Sequence, residues 1–99
     1  MKRIVRLREL GVGEFAEDKA LAREICQEEI LPKLQAGKRV TVDFRGIEAM
    51  GQGFFYQLVA LAAEQYGEVA YREIVFRNVK REIGETMVGV YKGLQITLA

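Results

Sequence analysis

Hydrophobic residues recur along this chain with two different periods, which alternate from one segment to the next. In three short segments they alternate with polar residues or form β-branched runs, a pattern that predicts strands. Between these segments they recur every three or four residues, which predicts helices with one apolar face. The predicted strands span Lys2–Arg8, Arg39–Phe44 and Ile74–Phe76, and the predicted helices span Asp18–Leu31, about Gln52–Tyr66 and about Val79–Gly93.

The order of these elements predicts one α/β domain over residues 1–99. Strands that alternate with helices favour a sheet covered by helices through right-handed crossovers. We therefore predict a β-α-β-α-β-α domain with a mixed sheet and helices packed on it, and a short last strand over Leu94–Leu98. Charged Arg6 and Arg8 place the first strand at an edge of the sheet, whereas the β-branched second strand suits the centre. Pro32 should end or kink the first helix near Leu31.

Composition and charge exclude several classes of protein. Hydrophobic residues make up 49% of the chain and charged residues 29%, a globular balance rather than a disordered one. No apolar run approaches the ~18 residues of a membrane span, and the N-terminus lacks the apolar core of a signal peptide, so we expect a cytoplasmic protein. The net charge of +1, with glutamates between the basic residues, disfavours nucleic acid as a partner.

The chain has no His and no Ser, so Ser-His and Cys-His nucleophilic systems and the commonest metal ligand are excluded. We therefore predict neither an enzyme nor a cofactor or metal site. Cys26 lies on the apolar face of a predicted helix and is interpreted as a small buried hydrophobe, with a reactive thiol as the alternative. Asp43 is interpreted as an acceptor that fixes the following turn; a catalytic role would need a second acid, for which Glu48 is the local candidate.

The segment from Asp43 to Phe55 joins the central strand to an apolar helix, and it is the predicted partner-binding surface. Glycines at its end would let a partner's backbone or a small anion approach the N–H groups of the helix. Because adjacent helical residues cannot face one core equally, either Phe54 or Phe55 is expected to be a partly exposed anchor. In the alternative, the glycines only permit a tight turn and both rings are core. The predicted binding residues are Asp43, Gly46, Glu48, Met50, Gly51, Gln52, Gly53, Phe54 and Phe55.

This turn resembles the signature of a known family. Asp43-Phe44-Arg45-Gly46-Ile47 is similar to the Asp-Phe-x-Gly-Val strand end of a STAS-like family of unknown function in bacteria and archaea, and Phe54 matches the Phe that opens its next helix. Ile30-Leu31-Pro32 and the segment from Ile74 to Asn78 also resemble that family, so the resemblance spans roughly residues 13–90. Asp43, Gly46, Ile47 and Met50 match the related STAS domains of sporulation anti-anti-sigma factors and sulfate-transporter tails.

The resemblance implies a STAS-like fold and a non-catalytic role in binding a protein. In the sporulation regulators a Ser at the start of this helix is phosphorylated by a GHKL-type kinase, whereas this chain has Gly51-Gln52-Gly53 there. We therefore expect a regulatory module that binds a signalling partner, with a GHKL-type ATPase or kinase as the first candidate, without a phosphoserine switch. A homodimer stays open, as does the alternative of a small-ligand or nucleotide-binding module that uses the N-terminus of the helix after Asp43.

Overall fold

The computed structural model describes residues 4–94, which contain five strands and five α-helices. The strands are β1 (Ile4–Arg6), β2 (Phe15–Ala16), β3 (Val40–Asp43), β4 (Ala49–Met50) and β5 (Ile74–Arg77). The helices are α1 (Lys19–Ile25), α2 (Leu31–Gln35), α3 (Gln52–Tyr66), α4 (Glu68–Glu73) and α5 (Arg81–Gly93). A 3-10 turn (Leu7–Leu10) follows β1, and a π-helical segment (Cys26–Ile30) joins α1 to α2.

The main sheet is parallel and has the order β1-β3-β5, which places the β-branched strand in the centre and β1 at an edge, as predicted. Its register sets Val5 beside Val42 and Val42 beside Phe76. The α/β fold class with helices packed on a sheet is thus confirmed. The described strands pair only in parallel, whereas a mixed sheet was predicted. The strand predicted over Leu94–Leu98 lies, except for Leu94, outside the described residues.

Helix α3 is the centre of the helical layer, since it contacts α1, the π-helical segment, α2, α4 and α5. It also packs on the sheet, because the ring centroid of Phe55 lies 5.4 Å from that of Phe76 in β5. The same ring lies 5.5 Å from that of Tyr91 in α5. The Phe44 ring completes this aromatic cluster with an edge contact to Phe76. The largest side chains of the core therefore meet where α3, α5 and the carboxyl ends of the strands converge.

The helix predicted over Asp18–Leu31 is present but is not regular. Asp18 is its N-cap and accepts a hydrogen bond from the backbone N–H of Leu21 at 3.1 Å. Pro32 has no N–H to donate, and the preceding turn widens into the π-helical segment instead of ending the helix. Cys26 lies in that segment, fully buried, and burial raises the pKa of its thiol, so the interpretation as a buried hydrophobe is confirmed.

Four short elements were not predicted: the 3-10 turn over Leu7–Leu10, the two-residue strands β2 and β4, which pair with each other, and helix α4. The 3-10 turn takes the place of the end of the predicted strand Lys2–Arg8, because β1 ends at Arg6. Gly67 separates α3 from α4 with a φ of 58°, so it ends α3 as predicted, but the chain then resumes a helical course. None of the helices in residues 4–94 has the length and apolar character needed to cross a membrane.

The phenol of Tyr91 is the one buried side-chain polar group that lacks a hydrogen-bond partner among the described residues. Burial raises the pKa of this phenol, and its hydroxyl group has no acceptor among residues 4–94. Tyr91→Phe is therefore expected to raise the free energy of unfolding by about 1 kcal/mol in urea titrations. Tyr71→Phe, on the half-exposed ring that contacts Tyr91, is the control and should change it by less than about 0.5 kcal/mol. A clear loss of stability in Tyr91→Phe would contradict this account.

Candidate functional site

The strand-to-helix turn begins at Asp43, the last residue of β3. Its Oδ1 atom accepts hydrogen bonds from the backbone N–H of Arg45, at 2.9 Å, and from the Nδ2 group of Asn78, at 2.8 Å. The bond from Asn78, followed by the one from Arg45, holds the pKa of Asp43 below its ordinary value. Asn78 directly follows β5 and has a φ of 57°, a conformation that Asn adopts more readily than most residues. Because Asp43 ends β3 and binds Asn78, one carboxylate connects the ends of two neighbouring strands. This geometry supports the structural interpretation of Asp43.

Gly46 makes the sharp change of direction after β3. Its φ is 85°, a conformation that favours glycine, and a Cβ atom there would lie 3.1 Å from Cγ of Arg8. The following N–H, that of Ile47, closes the turn on the carbonyl of Phe44 at 2.9 Å, and both side chains are fully buried. The turn is therefore anchored in the core on one side and exposed on the other.

The second half of the turn pairs with β2. The carbonyl of Glu14 accepts hydrogen bonds from the N–H groups of Glu48 and Ala49, at 2.7 and 3.2 Å, and the N–H of Gly51 donates to the carbonyl of Ala16 at 3.0 Å. This pairing brings Phe15 beside Ala49 in the register of the small sheet. Ala16 points into the core, so its neighbour Phe15 points outward and is 65% exposed.

The structure buries both Phe54 and Phe55, so the prediction that one of these rings is an exposed anchor is wrong. The reason is that α3 is covered by other helices on several sides, which makes its buried surface wide enough for two adjacent rings. The exposed aromatic side chains near the turn are instead Phe15 and Tyr56, the latter 46% exposed. The alternative in which both phenylalanines belong to the core is the one observed.

The N-terminus of α3 carries no side-chain cap, because Gly51 occupies the N-cap position. The side chain of Lys19 lies across Gly53, in the space that a Cβ atom of that residue would occupy. Lys19, Gly53 and Tyr56 line one side of a groove of about 440 Å³, and Gly89 and Val90 of α5 line the other. The glycines of the turn thus accommodate a lysine of this chain as well as shaping the backbone.

The remaining predicted residues lie on the outside of the turn. Glu48 forms an ion pair with Lys80, whose Nζ lies 2.6 Å from the glutamate Oε1. Met50 is half-buried and packs against the core, whereas Gln52 is exposed. The structure therefore brings the predicted residues into one turn, but only part of that set can meet a partner. Among residues 4–94 no cluster of side chains has the composition of a metal site.

Three residues that frame the exposed side of the turn were not predicted from the sequence: Phe15, Tyr56 and Lys19. A large apolar residue between Glu14 and Glu17 was the available signal for Phe15, because such flanking charges are typical of an exposed segment. Lys19 had no signal, since its position over Gly53 depends on how α1 packs against α3.

One comparison with known proteins identifies a family for this chain. A sequence model for a family described as a STAS-like domain of unknown function matches residues 22–83. No curated protein matches the chain, and neither does any solved structure. The matched segment runs from α1 into α5 and includes the whole turn from Asp43 to Phe55, while Phe15 lies before it.

Proposed function

Because the chain belongs to the family of STAS-like domains of unknown function, we propose that it is a regulatory domain that binds a protein partner and has no catalytic activity of its own. The binding surface in this proposal is the exposed side of the turn with its neighbouring strand β2. It consists of Phe15, Ala49, Gln52 and the exposed edge of Met50.

The observation that carries the proposal is the exposure of Phe15, which is 65% accessible on a strand held by backbone hydrogen bonds. A large aromatic ring gains little by facing water, and aromatic side chains are enriched at the energetic centres of protein interfaces. Because the pairing of β2 with β4 fixes the backbone at Phe15, little conformational entropy of the chain would be lost when a partner covers the ring.

The chemistry of the turn also bears on how binding is controlled. Gly51-Gln52-Gly53 replaces the phosphorylatable serine of the sporulation regulators that the turn resembles, so a phosphate cannot be added there. A GHKL-type ATPase or kinase is the first candidate for the partner, because it is the partner class of those regulators. We expect such a complex to form without a phosphoserine switch.

Phe15→Ala is expected to weaken partner binding by at least about 30-fold while leaving the fold intact, because the ring is exposed in the free protein. Proteins that co-purify with the native protein would be identified, and the affinity of the wild-type chain and the variant for each would be measured by titration. Circular dichroism melts would verify that the variant is folded.

Val69→Ala is the matched control, since Val69 is 40% exposed on α4. It should bind the partner as the wild type does. Equal retention of every partner by Phe15→Ala and wild type would contradict the proposed surface. A partner that binds normally but is not a GHKL-type protein would contradict only the assignment of the partner class.

The groove beside the uncapped N-terminus of α3 favours a second candidate function, the binding of a small anionic ligand. Lys19 supplies a positive charge there and the first N–H groups of α3 lack side-chain acceptors. Thermal-shift measurements with inorganic phosphate, ATP and GTP separate the two candidates. Stabilisation that is lost in Lys19→Ala but kept in Phe15→Ala would support the ligand, and no shift with any of the three would contradict it.

A further inference from the structure

The two faces of the main sheet differ in how they are covered. Val5, Val42 and Phe76 lie on the face against which α3 packs, and the other helices of residues 4–94 each contact α3. On the opposite face the register aligns Ile4, Thr41 and Val75, and these three side chains are only half-buried. We call this second side the open face. Parallel sheets are nearly always covered on both faces, so an open face with apolar residues suits contact with another molecule.

The charges that border the open face follow a pattern. Along β5, Glu73 precedes the strand and Arg77 ends it; along β3, Arg39 precedes the strand and Asp43 ends it. At both the amino and the carboxyl ends of these two strands, β3 and β5 therefore carry opposite charges. The uncharged residues Thr41 and Val75 lie between the charged ends. Arg39 and Glu73 already lie 3.9 Å apart, and Arg77 has no acidic partner within the described part of the chain.

From this pattern we infer that the open face binds a second copy of this chain, in a two-fold arrangement with the strands of the two copies antiparallel. A two-fold axis that runs across the strands over Thr41 places β5 over β5 and β3 over β3 with reversed direction. Arg77 of each copy then faces Glu73 of the other, and Asp43 of each faces Arg39 of the other. The half-buried side chains of the central row meet at the axis.

Two details favour this arrangement over its alternatives. Stacking with the strands parallel would place β5 over β1 and β3 over β3. Arg77 of one copy would then face Arg6 of the other, Asp43 would face its own equivalent, and like charges would meet. Both hydrogen bonds to Asp43 end on Oδ1, which leaves Oδ2 to accept from Arg39 of the other copy. The charges of β3 and β5 are thus complementary to themselves in the antiparallel arrangement and not in the parallel one.

The size of the face sets the expected strength of the dimer. Three strands about 4.8 Å apart and rows about 3.3 Å apart give a contact much smaller than the ~800 Å² per partner of a stable dimer. We therefore expect a weak dimer, with a dissociation constant between about 10 µM and 1 mM, that weakens further as salt screens the ion pairs.

Sedimentation equilibrium of the full chain up to about 2 mM, at low and high salt, tests the inference. Because the two-fold axis doubles every contact, Arg77→Glu should raise the dissociation constant of the dimer at least about tenfold, and Glu73→Arg should do the same. The double variant Glu73→Arg with Arg77→Glu exchanges the two charges and should recover most of the affinity. Lys92→Glu, an equal change of charge on α5 in the helical layer, is the control and should have little effect.

A chain that stays monomeric at about 2 mM would overturn the inference. So would a dimer that is insensitive to Arg77→Glu, which would place the contact elsewhere, or one that Lys92→Glu weakens equally, which would indicate a general effect of charge. Should Glu73→Arg fail to fold, the comparison of Arg77→Glu with Lys92→Glu decides alone. A different protein bound to this face in place of a second copy would also overturn it.

Discussion

Phe55→Ala is expected to lower the free energy of unfolding by about 3–5 kcal/mol, which could remove most of the stability of a domain of this size. Phe55 is fully buried in α3, and its ring contacts Phe76 of the sheet and Tyr91 of α5. Removing the ring leaves a cavity where three elements converge, and the backbone of a parallel sheet cannot collapse into it. Urea titration monitored by circular dichroism would measure the loss.

Tyr56→Ala is the control for this experiment, since Tyr56 is the next residue of α3 but is 46% exposed. This substitution should lower the free energy of unfolding by less than about 1 kcal/mol. A small effect of Phe55→Ala, similar to that of Tyr56→Ala, would mean that the ring is not a core element. The comparison also matters for function, because loss of partner binding in a Phe55 variant would report unfolding rather than a lost contact.

The contrast between Phe55 and Phe15 shows what could be predicted from the sequence at the candidate site. The location of the turn could be predicted, because a β-branched strand ends at Asp43 and an apolar helix starts near Gln52. Which side of that helix is covered could not, since it depends on how many other helices contact α3. The hydrophobic pattern of α3 is broad, and a broad pattern is compatible with either a wide core or an exposed patch.

The same limit explains the short strands. Strands β2 and β4 have two residues each, so no alternation of polar and apolar residues can identify them. They exist because the carbonyl of Glu14 accepts two N–H groups of the turn, a contact between segments 34 residues apart or more. Strands β1, β3 and β5 were predictable because burial imposes a regular pattern on three or four residues.

The irregular helices are intermediate cases. Pro32 was predicted to end or kink the first helix near Leu31. In the structure the irregularity is the π-helical segment, which ends at Ile30, directly before Leu31. A missing N–H can be accommodated by a wider turn as well as by a helix end, and the packing of Ile30 and Leu34 in the core favours the first. Helix α4 was missed because Gly67 normally ends a helix, and the next helix is only six residues long.

Asp43 lies beside both proposed surfaces, the turn that would bind a protein partner and the open face that would bind a second copy. It is the last residue of β3 and the first residue of the turn, and it borders the open face at the carboxyl ends of the strands. Its carboxylate holds the Arg45 N–H and the Asn78 side chain through a single oxygen atom. A substitution at Asp43 therefore tests whether the turn depends on that atom or only on the strands around it.

Asp43→Ala is expected to lower the free energy of unfolding by about 1–3 kcal/mol, because it removes the acceptor of two hydrogen bonds to a charged group that is partly exposed. Asp43→Asn keeps an oxygen acceptor, so its loss in free energy of unfolding should be about half that of Asp43→Ala. The pKa of Asp43 is lowered in the folded protein, so its contribution is present above the unfolded pKa and is lost as the pH falls through the folded one. The wild type should thus lose more stability than Asp43→Asn below about pH 4.

Urea titrations at several pH values between about 2 and 7 would measure these differences. Glu48→Gln is the matched control, since Glu48 lies in the same turn and its ion pair with Lys80 is on the surface. It should cost less than about 1 kcal/mol. If Asp43→Ala proved no more destabilising than Glu48→Gln, the turn would be held by Gly46, the buried Ile47 and the pairing of β2 with β4 rather than by the carboxylate.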